Sequence, residues 1–290
     1  MKPLNLIATP HSRQPWGHVG DDEVLVHTGL GFLTGKANYP KERLEEKKAQ
    51  MALYDRAKFN CDHEAAAELV AGAIDGAKLE GIVDLVSRAA LRPIIVFPHP
   101  SFDDDEADGY KAVDFRKVTN AIPFAFAAHL AQVLDATIEN SVVQCARVGR
   151  TKLKKFPRFL WQPRFQGPIV PRRPYIIVDD VVSQGGTLAA LRCHILNAGG
   201  TILCCTALAH QSGQNVKFAI ARDTLDVLEQ TYGPDLGPFW KGTIGHEIHC
   251  LTEHEAAGLI DFGTQDSGLS PGERLQRLGD RLAKAAAKGE

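Results

Sequence analysis

Residues Tyr175 to Leu188 read YIIVDDVVSQGGTL, and this stretch decides the fold prediction. Four apolar residues precede an acidic pair, two more apolar residues and a small-residue loop. A continuous apolar run of this length is typical of a strand buried on both faces. The segment Thr187 to Asn197 that follows has helical character and ends at Gly199-Gly200, a common helix stop. The stretch therefore predicts a strand, a tight loop and a helix.

Further apolar runs of strand length flank this unit, and helical patterns separate them. The other predicted strands are Arg92 to Phe97, Ser141 to Ala146 and Thr201 to Ala209. The other predicted helices are Glu64 to Leu79, with Asp62 as its cap, Asn120 to Leu134, Ala221 to Gln230 and Glu253 to Ile260. Strands that alternate with helices indicate an α/β protein with a central parallel β-sheet flanked by helices.

Composition narrows the classes of function. A formal net charge of -2 argues against general coating of DNA or of an anionic membrane. No apolar run reaches the roughly 18 residues that a membrane helix needs, so no membrane partner is expected. The six cysteines are scattered without a C-x-x-C pair, which favours free thiols in a reducing, cytoplasmic compartment.

The loop after the acidic pair has the character of an anion site. Gly185 and Gly186 allow close approach of the backbone to a phosphate, and Ser183 and Thr187 add hydroxyl donors. Carboxylates beside a phosphate cradle make sense if they accept hydrogen bonds from ribose hydroxyls. They also make sense if Mg²⁺ lies between them and a pyrophosphate. The chemistry therefore indicates a phosphorylated sugar with free hydroxyls.

This arrangement resembles the phosphoribosyl pyrophosphate (PRPP) signature of the type I phosphoribosyltransferases. The resemblance implies that Asp179 and Asp180 hold the ribose and Mg²⁺ as catalytic and metal-binding residues. It implies a 5′-phosphate site, formed by Ser183, Gln184, Gly185, Gly186 and Thr187. It also implies a pyrophosphate loop, formed by Pro98, His99, Pro100 and Ser101. Gln184 departs from the family pattern, which has a small residue there.

The basic segment 147–173 contains nine Lys and Arg residues and no acidic residue. It falls where the family has a mobile catalytic loop, so Lys152, Lys154 and Lys155 are candidates for stabilising the leaving pyrophosphate. Two alternatives stay open. The segment is a solvated loop without a role, or its interleaved aromatic and basic residues bind single-stranded nucleic acid.

The expected layout is an N-terminal extension over residues 1–60, a core over 61–215, a C-terminal extension over 216–270 and an exposed helical tail over 271–290. The two extensions would form a hood that recognises the acceptor. The acidic run Asp103 to Asp108 follows the expected pyrophosphate loop and argues against tight pyrophosphate binding if it stays in the site.

The resulting hypothesis is transfer of ribose 5-phosphate from PRPP to a nitrogen acceptor such as a nucleobase, with Mg²⁺ and release of pyrophosphate. The expected partners are PRPP and a small-molecule acceptor, and a homodimer is left open. The alternative is a non-catalytic regulator that binds PRPP or nucleic acid on the same fold.

Overall fold

The computed structural model describes residues 13–18, 20–99, 119–144 and 155–288. Its main sheet has six strands in the order β3-β2-β6-β7-β1-β8, and a separate pair joins β4 to β5. The strands are β1 (Glu23–Gly29), β2 (Ile94–Val96), β3 (Thr137–Glu139), β4 (Val143–Gln144), β5 (Phe165–Gln166), β6 (Pro174–Val181), β7 (Thr201–His210) and β8 (Val216–Lys217). All neighbours in the main sheet are parallel except β1 and β8, which are antiparallel.

Helices cover both faces of this sheet. They are α1 (Leu30–Leu33), α2 (Leu44–Phe59), α3 (His63–Ala73), α4 (Gly76–Arg88), α5 (Ile122–Leu134), α6 (Lys155–Leu160), α7 (Gly186–Asn197), α8 (Arg222–Tyr232), α9 (Leu236–Ile244), α10 (Glu253–Thr264) and α11 (Pro271–Lys288). The expected α/β class, with a predominantly parallel central sheet flanked by helices, is confirmed.

The alternation of side chains along β6 explains why its sequence is apolar throughout. Ile176 and Val178 pack in the core beneath α2, α3 and α5, whereas Tyr175 and Ile177 pack on the other face, with α7. A strand covered on both faces has no solvent-exposed side on which polar residues are favoured.

A third core lies among the C-terminal helices. Phe159 from α6, Trp240 from α9 and Leu278 from α11 are each at most 1% exposed there. The helix α11 was expected to be an exposed tail, but its apolar residues Leu278 and Leu282 are fully buried. The amphipathic spacing of these residues gives one face that packs and one that stays in solvent.

The strand β1 corrects the predicted layout. Residues 1–60 were expected outside the core, yet Val24 and Val26 pair with β7 inside the main sheet. The sequence shows only a short apolar stretch here, Val24 to His27, within an otherwise polar and irregular segment. His27 is nevertheless buried, with Nδ1 accepting the Asp75 N–H at 3.1 Å.

Two further predictions were wrong in detail. Of the predicted strand Ser141 to Ala146, only residues 141–144 are described, and there Val143–Gln144 pairs with β5 and not with the main sheet, whose edge is Thr137–Glu139. The expected helix Glu64 to Leu79 is two helices, because Ile74 leaves the helical conformation and Asp75 caps α4. Asp62 caps α3 as expected, accepting the Ala65 N–H at 2.9 Å.

None of the helices in the described ranges is both long enough and apolar enough to span a bilayer.

Candidate functional site

A cleft of about 520 Å³ lies at the carboxyl end of β6, where ligands bind in open α/β sheets. Asp179 and Asp180 end the strand, the loop Ser183 to Gly185 follows, and α7 begins at Gly186. All of these residues line the cleft. The first backbone amides of a helix have no partner within it, so the start of α7 presents donors to an anion.

Gly185 is required by the shape of this loop. Its φ of +77° lies in the left-handed region, a backbone conformation that is strained for residues with a side chain. A Cβ atom at this position would lie 2.9 Å from Phe218 Cε2 and 3.3 Å from Thr252 Cγ2. The loop is thus packed from behind by Phe218 and Thr252, and its open side faces the cleft.

Asp180 is held by a network of donors and is only 6% exposed. Its Oδ2 accepts a hydrogen bond from Asn120 Nδ2 at 2.9 Å and forms an ion pair with Lys58 Nζ. Its Oδ1 accepts the Val181 N–H at 2.9 Å. The carboxylate is therefore fixed in one orientation without a ligand.

Backbone bonds fix the two side chains that hold Asp180. Lys58 lies in the last turn of α2, and Asn120 lies just before α5. The Ala121 N–H donates to Ala57 O at 2.9 Å, and the Cys61 N–H donates to Thr119 O at 2.8 Å. The Asn120 Oδ1 accepts the Ile122 N–H at 3.2 Å, which turns its amide nitrogen toward Asp180.

The two aspartates differ in acidity. Burial, and then the negative charge of Asp180, raise the pKa of Asp179 well above its ordinary value. Burial alone would also raise the pKa of Asp180, but the charge of Lys58 and the hydrogen bonds from Lys58 and Asn120 together lower it. The same pairing raises the pKa of Lys58 against the effect of burial. The pair thus contains one carboxyl group whose pKa is raised and one whose pKa is lowered.

This geometry does not fit the Mg²⁺ site that the sequence predicted at Asp179 and Asp180. Mg²⁺ requires near-octahedral oxygen ligands, whereas the Asp180 oxygens already accept bonds from Lys58, Asn120 and Val181. The ammonium group of Lys58 would also repel a second cation. Among the side chains that the structure describes, no group of three or more His, Cys, Asp or Glu residues is arranged to hold a metal ion.

Arg158 and Thr252 both contact the loop Ser183 to Gly185. Arg158 lines the cleft and donates from Nη1 to Ser183 Oγ at 3.1 Å. Thr252, the N-cap of α10, donates its hydroxyl hydrogen to Gln184 O. The Gln184 side chain departs from the family pattern, but its backbone carbonyl is what anchors the loop to the C-terminal helices.

Arg13 and Glu255 extend this anchor toward the N-terminal segment. Glu255 belongs to the capping box of Thr252 and forms a buried ion pair with Arg13, with Arg13 Nη2 at 2.9 Å from Glu255 Oε1. The loop, the start of α10 and the segment around Arg13 are therefore joined by continuous contacts.

The remaining predicted site residues do not all lie at the cleft. Pro98 lines the cleft, whereas His99 donates from Nε2 to Asn140 O at 2.9 Å and does not line it. Lys155 Nζ donates to Gly258 O at 3.3 Å and forms an ion pair with Asp261. Lys155 is not among the residues that line the cleft. Pro100, Ser101, Lys152, Lys154 and the acidic run 103–108 lie outside the described residues.

The basic segment is only partly a loop. Its residues Lys155–Leu160 form α6, and Phe156 and Phe159 are buried against the C-terminal helices. Aromatic rings in a core cannot stack on nucleobases, so the predicted single-strand interface is not available to these two rings.

The cleft residues that were not predicted include Tyr54, Lys58, Asn120 and Arg158. Arg158 lay within the basic segment but was not singled out. The other three come from the ends of α2 and α5, and their proximity to Asp180 depends on helix docking. The only local signal was a Lys in the last turn of a charged helix, which is a common position for a cation.

Comparisons with known proteins give limited guidance. No family model matches the chain. Protein TraN of Escherichia coli is 29% identical over 287 residues, which are 96% of this chain and 56% of TraN. An uncharacterized protein of Haemophilus influenzae is 42% identical over 78 residues, which are 27% of this chain and 17% of that protein. The chain thus spans a little over half of the length of TraN and less than a fifth of the length of the Haemophilus influenzae protein.

Solved structures with some likeness include two adenine phosphoribosyltransferases. The enzyme from Leishmania donovani has a TM-score of 0.27 and 14% identity, over 72% of this chain and 78% of that one. The enzyme from Thermoanaerobacter pseudethanolicus has a TM-score of 0.23 and 15% identity, over 47% of this chain and 82% of that one. At these scores the likeness carries no conclusion about function.

Proposed function

We propose that the chain binds PRPP in this cleft and transfers its ribose 5-phosphate to a nitrogen acceptor, releasing pyrophosphate. One observation carries the proposal. The acidic pair Asp179 and Asp180 and the glycine loop that leads into α7 line the same cleft at the carboxyl end of β6. The cleft volume of about 520 Å³ falls in the range typical of small-molecule sites.

The 5′-phosphate is assigned to the loop Ser183 to Thr187. The left-handed conformation of Gly185 and the start of α7 direct backbone amides toward a bound anion. Arg158 adds a positive charge at Ser183. An anion with three acceptor oxygens suits a site with many amide donors and a nearby guanidinium group.

The ribose hydroxyls are assigned to the two aspartates. Asp180 is held ionised and accepts from a hydroxyl group. Burial and the charge of Asp180 raise the pKa of Asp179, and this carboxyl group accepts when ionised and both donates and accepts when protonated. A sugar hydroxyl also does both, so the pair matches two neighbouring hydroxyls of a ribose.

In the transfer itself, the C1–O bond of PRPP breaks and the pyrophosphate oxygen keeps the electron pair. A lone pair of the acceptor nitrogen forms the C1–N bond, and that nitrogen passes its proton to the departing pyrophosphate. Positive charge develops on the ribose ring, and the ionised Asp180 stabilises this charge. Lys58 and Arg158 line the cleft, and their positive charges favour binding of the anionic substrate.

A second candidate is a protein that binds PRPP and does not turn it over. The observation in its favour is that Lys58 and Asn120 already satisfy Asp180, an arrangement that suits a stable complex as well as a reaction. The burial of Phe156 and Phe159 argues against the nucleic-acid form of this alternative.

One assay separates the two candidates. The chain is incubated with PRPP, Mg²⁺ and a panel of nucleobases, and pyrophosphate release is followed. A transferase releases pyrophosphate only with its acceptor present. Tight PRPP binding by calorimetry, with no release across the panel, supports the binding protein instead.

The site assignment is tested separately with Asp180→Asn. We expect PRPP binding to be lost while the circular dichroism spectrum stays unchanged. Asp84→Asn on the exposed surface of α4 is the matched control and should bind normally. Unchanged affinity in Asp180→Asn would remove the basis of the proposal.

A further inference from the structure

We infer that Lys58 is the built-in counter-ion of the acidic pair, so that the pair binds sugar hydroxyls without a divalent cation. The inference takes from the proposed function only the sugar phosphate used as a probe below. Its basis is the disagreement between the Mg²⁺ site predicted from the sequence and the contacts around Asp180.

The first step is the position of the ammonium group. Lys58 Nζ contacts Asp180 Oδ2, the same oxygen that Asn120 engages at 2.9 Å. The side chains of Lys58 and Asp180 are 17% and 8% exposed, so solvent screens the pair little. A divalent cation at this oxygen would have to displace two protein donors.

The second step is that the lysine is held there by the fold. It lies in the last turn of α2, where the helix dipole favours a cation. Backbone bonds from Cys61 and Ala121 tie this end of α2 to the segment carrying Asn120. The backbone of Lys58 is therefore held within reach of Asp180 by contacts that do not involve its side chain.

The third step is the charge balance of the cleft. Asp179 and Asp180 are the acidic residues among its lining in the described ranges, and Lys58 and Arg158 are the basic ones. Among these described lining residues, the basic side chains equal the acidic ones in number, so the pair has no excess negative charge that would attract Mg²⁺.

Ribose 5-phosphate is the probe for this inference because it lacks the diphosphate that chelates Mg²⁺. Its affinity is measured by calorimetry in EDTA and in excess Mg²⁺. We expect the wild-type affinity to change less than about threefold. Lys58→Met should lose at least about tenfold in EDTA and recover part of this loss when Mg²⁺ or Mn²⁺ is added. Lys58→Arg keeps the charge and should stay insensitive to metal.

A second readout needs no sugar. The electron paramagnetic resonance signal of free Mn²⁺ falls when the ion binds, so bound Mn²⁺ is counted in the wild type and in Asp180→Asn. Equal counts support the inference. An additional wild-type site that Asp180→Asn removes would overturn it. The Mn²⁺ count also tests the counter-ion role of Lys58 if the Lys58→Met variant does not fold.

The two ways of failing are distinct. If ribose 5-phosphate binds neither with nor without metal, the proposed function fails, and the Mn²⁺ count still decides the role of Lys58. If the sugar phosphate binds the wild type only with a divalent cation, the proposed function stands and the counter-ion role of Lys58 is rejected.

Discussion

The Thr252 side chain donates its hydroxyl hydrogen to the backbone carbonyl of Gln184. This bond joins the start of α10 to the loop Ser183 to Gly185. The same hydroxyl oxygen accepts the Glu255 N–H at 3.1 Å and so caps the helix. One side chain thus serves two elements that lie 68 positions apart in sequence. The C-terminal helices are therefore mechanically coupled to the candidate site.

Replacing Thr252 with Val should test this coupling. The loss of the cap is expected to lower the free energy of unfolding by about 1 kcal/mol. The released loop should bind ribose 5-phosphate roughly tenfold more weakly. Urea denaturation and calorimetry measure the two effects. Thr252→Ser keeps the hydroxyl group and should retain both properties; a Val variant with normal affinity would show that the loop does not need this bond.

Gly185→Ala should damage the site through the backbone. The positive φ and the contact with Phe218 are both incompatible with a Cβ atom. We expect a loss of about 1–3 kcal/mol in stability and a weaker affinity for ribose 5-phosphate. Gly81→Ala is the matched control, because a Cβ atom there meets nothing within 4 Å. That control should be neutral or slightly stabilising in its helix, and equal stability of the two variants would contradict the assignment.

Arg158→Gln should weaken binding of phosphorylated ligands selectively. The guanidinium group is expected to contribute a charge-assisted bond of about 1.5–3 kcal/mol to the 5′-phosphate, or roughly 10- to 100-fold in affinity. Binding isotherms for ribose 5-phosphate at low and high salt measure this loss and its screening. Arg88→Gln changes an exposed arginine that pairs with Asp84 and should have no effect. A wild-type isotherm from Arg158→Gln would place the phosphate elsewhere.

Stability should fall as the pH is lowered from 7 toward 4. Burial, then the charge of Lys78, lowers the pKa of His27 to about 4. Burial, then the charge of Arg13, lowers the pKa of His246 to about 4. Between pH 6.5 and 4 the unfolded chain binds more protons than the folded one, so acid favours unfolding. Each histidine accounts for up to about 3 kcal/mol of this loss.

Urea midpoints measured across this range check the prediction for His27 and His246. His27→Gln keeps a side chain that can accept the Asp75 N–H and removes the titrating group. Its unfolding free energy should therefore depend less steeply on pH than that of the wild type. A variant with the full wild-type slope would show that His27 is not protonated on unfolding.

The strand-loop-helix unit could be predicted from sequence to within three residues at its boundaries, because its signals are local. An apolar run of strand length indicates a buried strand, and Gly185 marks the turn at which α7 begins. The loop residues and both aspartates consequently line one cleft, as expected. The edge strand Thr137–Glu139 was missed because an edge strand is partly exposed and lacks this apolar pattern.

The donors around Asp180 could not be predicted, because no local pattern encodes them. Lys58 looks like an ordinary charged residue of a polar helix, and its role appears only when α2 docks beside α5. Lys155 was favoured for its place in a basic segment, but α6 carries it toward Asp261. Composition thus identified the segment, and the tertiary contacts decide which of its cations reaches the cleft.

The position of β1 has a consequence for how the chain acquires its structure during synthesis. Val24 pairs with Cys205 and Thr28 with Ala209, so partners inside the sheet are separated by most of the chain. Contacts of such high contact order slow folding, because a long loop must close before they form. Because β1 is synthesised before β7, it must wait without this partner until β7 emerges. During that interval its exposed edge is a site for chaperones or for misassociation with other nascent chains.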